Sequence, residues 1–145
     1  MPDFSPHLQS WLSALLKDAG AVAGTVHLHE RGGLRLAAAV NIPERVQEVV
    51  AWVPSGKGMA GLALERGQPV QTCNLQEDRS GAVEAGAKAV NAQAAVAMPV
   101  RDRAGAILAV VGVAFAEERE IQGQELERLQ DTAATLAGVV GDSSR

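Results

Sequence analysis

The stretch Ala94 to Phe115, AAVAMPVRDRAGAILAVVGVAF, constrains the chain more than any other, with two apolar runs joined by a short charged turn that closes on Gly105. Val96, Met98 and Val100 share one side at period two, and Ala95, Ala97 and Pro99 the other. The return run sets Ile107, Ala109, Val111, Val113 and Phe115 against Ala106, Leu108, Val110, Gly112 and Ala114. A β-hairpin that is apolar on both faces must be covered on both faces, so it belongs in the middle of a sheet packed between helices or loops. Ala and Gly stand where a strand normally carries bulk. That leaves room for close backbone approach or for a cavity on one face.

Ahead of this hairpin, Ser5-Pro6 starts a helix, Ser as cap and Pro at the first helical position. Leu8, Trp11, Leu12, Leu15, Leu16 and Ala19 form its apolar stripe, and Gly20 ends it. Ala21 to Glu30 and Leu34 to Val40 read as strands around the turn Arg31-Gly32-Gly33. Asn41-Ile42-Pro43 opens a short helix through about Ala51, closed by Trp52; Val53 to Gly58 reads as a turn and Met59 to Glu65 as another short helix. Pro69 to Cys73 is a short strand, placed at an edge by its leading proline. Leu75 to Gln93 turns polar, Gly-rich and Ala-rich, the pattern of a loop with one weak helix around Val83 to Val90. Beyond the hairpin, Glu117, Glu118 and Glu120 lead into a final helix whose Leu126, Leu129, Ala133, Leu136 and Val140 form an a/d seam. Such a seam docks on the sheet or meets a second subunit.

With 145 residues, the chain reads as one domain over 1–145, its core at about 5–140 and a flexible tail at 141–145. One cysteine excludes a disulfide framework within the chain and fits a reducing, cytoplasmic setting. The N-terminus lacks the charge and apolar core of a signal peptide, and no window approaches the roughly 18 apolar residues of a membrane span. A net charge of −4, scattered Lys and Arg, and 3% aromatics leave no footprint for nucleic acid.

The order of elements resembles the GAF domain, of the PAS-like sensory superfamily. The run Ser55 to Leu75 is similar to that family's glycine-punctuated segment through Gly56, Gly58, Gly61, Gly67, Pro69, Val70 and Asn74. Met98-Pro99-Val100, Gly105 and Ile107 to Val113 resemble its central hairpin. Gly56, Gly58 and Gly61 nearly imitate a dinucleotide-binding fingerprint, but they follow a helix and Pro54 rather than a strand of a βαβ unit. The resemblance implies an α+β fold: a central antiparallel sheet of about five strands, terminal helices on one face, and short helices with a lid loop over a ligand pocket on the other. It also implies a regulatory role.

For that pocket, Trp52, Met59, Leu62 and Met98 are candidate walls, and Asp78 and Arg79 candidate orienting groups at the start of the lid, Arg gripping a carboxylate or phosphate. His27 and His29, two apart on a strand and roughly 6.5–7 Å apart at Cα, are metal candidates with no third ligand in view. Their plainer role is as satisfied polar residues near the sheet rim. The identity of any cofactor stays open, and a haem or iron centre would need ligands beyond these two.

Two ligand classes of the family find little support. The cyclic-nucleotide branch needs a mid-chain Phe, and the chain has only Phe4 and Phe115. Bilin-binding relatives use a later cysteine than Cys73.

Three functions follow as expectations. The first is a non-catalytic sensory domain binding a small ligand between the sheet and the 75–93 lid and signalling to a separate partner. The second is an enzyme like the free-methionine-(R)-sulfoxide reductases, working through Cys73, although resolution of a sulfenic acid needs a second thiol or outside help. The third is a ligand-free module forming a homodimer through Leu8 to Ala19 and Leu126 to Val140.

Overall fold

Ser5 caps α1 (Pro6–Ala19) by accepting the Leu8 N–H on its Oγ, Pro6 takes the first helical position, and Gly20 ends the helix in the left-handed region. The computed structural model describes residues 4–72, 93–117, 120–121 and 123–143. After α1, β1 (Ala23–Glu30) and β2 (Gly33–Val40) form a hairpin across Arg31 and Gly32. Both turn residues have positive φ, as a tight two-residue turn between twisted strands requires. α2 (Glu44–Val49), β3 (Trp52–Pro54), α3 (Gly58–Arg66) and β4 (Val70–Thr72) follow, then β5 (Ala94–Arg101) and β6 (Ile107–Phe115), and finally α4 (Gln124–Ala134) and α5 (Leu136–Ser143).

The strands form one sheet in the order β3-β2-β1-β6-β5-β4, every pairing antiparallel. The doubly apolar hairpin lies inside it, and the Pro-led β4 lies at an edge. On one face α1, α4 and α5 cover Val26, Val96, Met98, Val100, Val111, Val113 and Phe115. On the other, α2 and α3 cover Leu34, Ala97, Val110 and Ala114. The alternation of the hairpin thus separates two cores.

The sheet has six strands where about five are expected, and the addition is β3. Trp52 does not close the second helix; it opens an edge strand whose residues pair with Gly33, Leu34 and Arg35. Three residues are too few for alternation to show, and Pro54 closes the strand at the outer edge, where its missing N–H costs no ladder bond. Ile107 also departs from the period-two reading. It packs with the α3-side core because the β5–β6 register shifts between Val100 and Arg101, a bulge that turns Ile107 away from Ala109. The last helix begins later than its acidic run and breaks at Thr135, so its first-turn acids are Glu125 and Glu127. Thr135 Oγ1 bonds the Thr132 carbonyl and accepts the Trp11 indole N–H at 2.9 Å, tying the break to α1. The seam residues Leu129, Ala133 and Leu136 are buried, with Leu126 and Val140 packed beside them, so this seam docks within the chain.

Two glutamines close backbone that no strand reaches among the described residues. Gln9 of α1 accepts the Ala39 N–H at 2.6 Å and donates to the Ala39 carbonyl at 3.1 Å, covering β2 beyond the end of β3. Gln71 of β4 does the same for Ile121, at 3.0 and 2.7 Å. Gln9→Glu keeps the size and one acceptor but cannot donate to the carbonyl. It is expected to cost about 1–3 kcal/mol, the penalty of an unmet buried polar group. Urea denaturation checks this, and an unchanged midpoint contradicts it.

Candidate ligand cavity

A cavity of about 400 Å³ lies between the sheet and the pair α2 and α3. That is near the small end of the roughly 300–1,000 Å³ of ligand pockets. Its floor is a patch of small residues on β5 and β6, Ala95, Ala97, Gly112 and Ala114, continued on β1 by Thr25 and His27. An added Cβ at Gly112 would lie 2.9 Å from Thr25 Oγ1, so the floor stays open there because residue 112 has no side chain. The walls come from Val46, Val49 and Val50 at α2, Trp52 and Val53 of β3, and Met59 of α3. Val49 and Trp52 are also exposed. Lys57 and the first turn of α3 also line the space, and no Asp or Glu does so among the described residues.

Gly56, Gly58 and Gly61 build the approach to α3 rather than a phosphate loop. The Gly56 N–H donates to the Gly61 carbonyl at 2.7 Å, and a Cβ at Gly61 would run into the Pro54 carbonyl.

His27 is the buried titratable group of the cavity, 3% exposed, between Leu36 and Val110 on the neighbouring strands. Its Nε2 lies 2.9 Å from the Val50 carbonyl. A carbonyl only accepts, so Nε2 carries the proton and donates. Nδ1 has no partner among the described residues. Burial pulls the pKa of the ring below its ordinary 6.5, outweighing the Val50 carbonyl, which raises it.

The unfolded chain therefore binds a proton at His27 in a range where the folded chain does not. Stability due to this group falls as pH drops below about 6.5 and levels off beneath the native pKa, with a slope of at most about 1.4 kcal/mol per pH unit. Urea midpoints at about pH 7.5 and about pH 5.5 should separate more for the native chain than for His27→Gln, which has no imidazole to charge. Equal separations contradict this.

The structure brings only some of the expected site residues together. Trp52 and Met59 line the cavity. Leu62 packs instead in the α3 core, and Met98, wholly buried, lies in the core under the terminal helices on the other side of the sheet. His29 uses Nδ1 on the Ile107 carbonyl at 2.9 Å, and no group of three metal-binding side chains occurs among the described residues. Cys73, Asp78 and Arg79, and the proposed lid up to residue 92, lie outside the described residues. Thr25 and Lys57 carry no sequence signal that marks them as lining residues, whereas the Ala and Gly floor is the run of small residues on one side of the hairpin.

A six-stranded antiparallel sheet with terminal helices on one face and a cavity under short helices on the other is an α+β domain. The chain belongs to the GAF domain family, whose profile matches residues 7–140. No curated protein sequence matches it. Among solved structures, it is similar to the GAF domain of the Acinetobacter phosphoenolpyruvate-protein phosphotransferase, with a TM-score of 0.76 and 18% identity over 98% of this chain and 86% of that one. It is similar also to the type II free methionine-R-sulfoxide reductase of Thermoplasma acidophilum, with a TM-score of 0.74 and 17% identity over 93% and 90% of the two chains. A GAF domain/HD domain protein of Geobacter sulfurreducens gives a TM-score of 0.73 at 15% identity, covering 94% and 90%. These likenesses are of fold. No helix among the described residues is long and apolar enough to cross a membrane.

Proposed function

We propose that this chain acts as a single sensory or regulatory GAF domain in the cytoplasm, binding one small ligand in the cavity without transforming it and passing its occupancy to a separate partner. The observation that carries this reading is the cavity itself, floored by Ala95, Ala97, Gly112 and Ala114. Four adjacent small residues on two central strands give up core packing that larger side chains would supply. The lining accepts a mainly apolar molecule that is neutral or anionic. A cation would meet Lys57 and no carboxylate among the described residues. The terminal helices carry the signal, and a homodimer formed through them uses their outer faces, because their inner faces pack on the sheet.

Native mass spectrometry of the gently purified protein tests this. Extra mass per subunit that disappears on denaturation supports the reading; a bare chain that also gains no thermal stability with any of a broad set of metabolites counts against it. The reductase reading has the Thermoplasma likeness behind it but a single cysteine in the chain. Reduction of free methionine sulfoxide that is lost in Cys73→Ser would overturn the non-catalytic assignment.

A further inference from the structure

We propose that occupancy of the cavity is relayed to the terminal helices through Gly24, where only the backbone of β1 separates the cavity from α1. The inference rests on the reading of the cavity as a ligand site and adds how its filling is passed on. Gly24, Val96 and Val113 all line the cavity, yet each stands at a strand position whose side-chain direction is toward the opposite face. Val96 and Val113 set a buried isopropyl group between the sheet and the helices. Gly24 sets nothing there. A Cβ at Gly24 would lie 2.8 Å from Leu16 Cδ2 and 3.1 Å from Leu12 Cδ1, so both leucines rest on bare backbone. The same Cβ would lie 2.9 Å from the carbonyl oxygen of Gly112, itself a residue of the cavity floor.

This contact has no slack on the helix side. Leu12 and Leu16 are buried, and a close-packed interior transmits strain rather than absorbing it. The two bonds from Gln9 to Ala39 tie the N-terminal half of α1 to β2, so a push at Leu12 and Leu16 tilts the helix about that tie. Trp11 is carried with it. Its indole N–H, bonded to Thr135 Oγ1 at 2.9 Å, hands the movement to the break between α4 and α5. The route therefore runs from the floor to Gly24, on to Leu12 and Leu16, and from Trp11 to Thr135.

The test follows methyl-labelled protein by nuclear magnetic resonance as cyclohexane is added, an apolar probe that carries no ring current. Saturable shifts are expected at the amides of Ala95, Ala97, Gly112 and Ala114. At the same half-saturating concentration the Trp11 indole N–H should respond, and the Leu12 and Leu16 methyls should move at least about twice as far as those of Val100, which faces the helices away from the cavity lining. Leu16→Val draws back the methyl that rests on Gly24; it should keep the floor affinity and lose about half of the Trp11 response. An undiminished response in that variant overturns the relay. So do floor amides that respond while Leu12, Leu16 and Trp11 stay still, a result that leaves the cavity as a ligand site. Ala95→Leu fills the floor from within and needs no probe. Its spectrum decides if cyclohexane does not enter or Leu16→Val does not fold: moved Leu12 and Leu16 methyls support the relay, and unmoved ones overturn it. The ligand reading itself is judged separately, by native mass.

Discussion

Leu12→Ala is expected to lower stability by about 2–5 kcal/mol, the cost of emptying a fully buried leucine site whose neighbours cannot close over it. Leu12 is wholly buried, and α1 lies so close to the sheet that a Cβ on Gly24 would meet Leu12 Cδ1 at 3.1 Å and Leu16 Cδ2 at 2.8 Å. The helix thus seats directly on the backbone of β1. Gln9 bonded to Ala39 and Trp11 bonded to Thr135 hold α1 at this height, so it cannot sink to fill the gap. Against the roughly 5–15 kcal/mol that stabilise a typical domain, this loss is large. Urea denaturation reads it, and a loss below about 1 kcal/mol would mean that α1 is not the clamp described.

The second large effect is on binding. Ala95→Phe places a ring in the cavity from a floor position and is expected to abolish ligand uptake, while stability changes by less than the roughly 1–3 kcal/mol of overpacking a full core, because the space already exists. Met98→Leu is the matching control. It changes a residue of the same strand on the α1 side, conserves volume, and leaves uptake unchanged. Retained binding in Ala95→Phe would place the ligand elsewhere.

The contrast between Ala95 and Met98 also shows how far the sequence could be read. Alternation in the hairpin separated the two sides of β5, and of β6 from Ala109 onward, because both faces are buried and the period of two is unbroken there; the bulge opposite Arg101 put Ile107 on the other side. Alternation did not say which side held the cavity. Bulk pointed to Met98 as a wall, whereas a floor needs small residues, and the stripe of Ala95, Ala97, Gly112 and Ala114 was the informative signal. α1 was legible from its cap, its proline and its leucines, since those act within a few residues of one another. β3 was not, because a strand of three residues is defined by its partner Gly33–Arg35 and not by its own pattern. The start of α4 was not legible for a similar reason: Gln71, fifty positions away, holds Ile121 through both backbone groups. His27 and His29 looked equivalent in the sequence. Their difference comes from Val50 and Ile107, contacts that only the folded chain supplies.

Occupation of the small-residue floor by a ligand can be read directly at its own backbone amides. The most direct measurement is a protein-observed amide spectrum of the wild type and of Ala95→Phe, recorded against a library of small metabolites. At least one compound is expected to give saturable shifts that centre on Ala95, Ala97, Gly112 and Ala114 and vanish in the variant. Saturable shifts that centre on another surface, or that persist unchanged in Ala95→Phe, would contradict it.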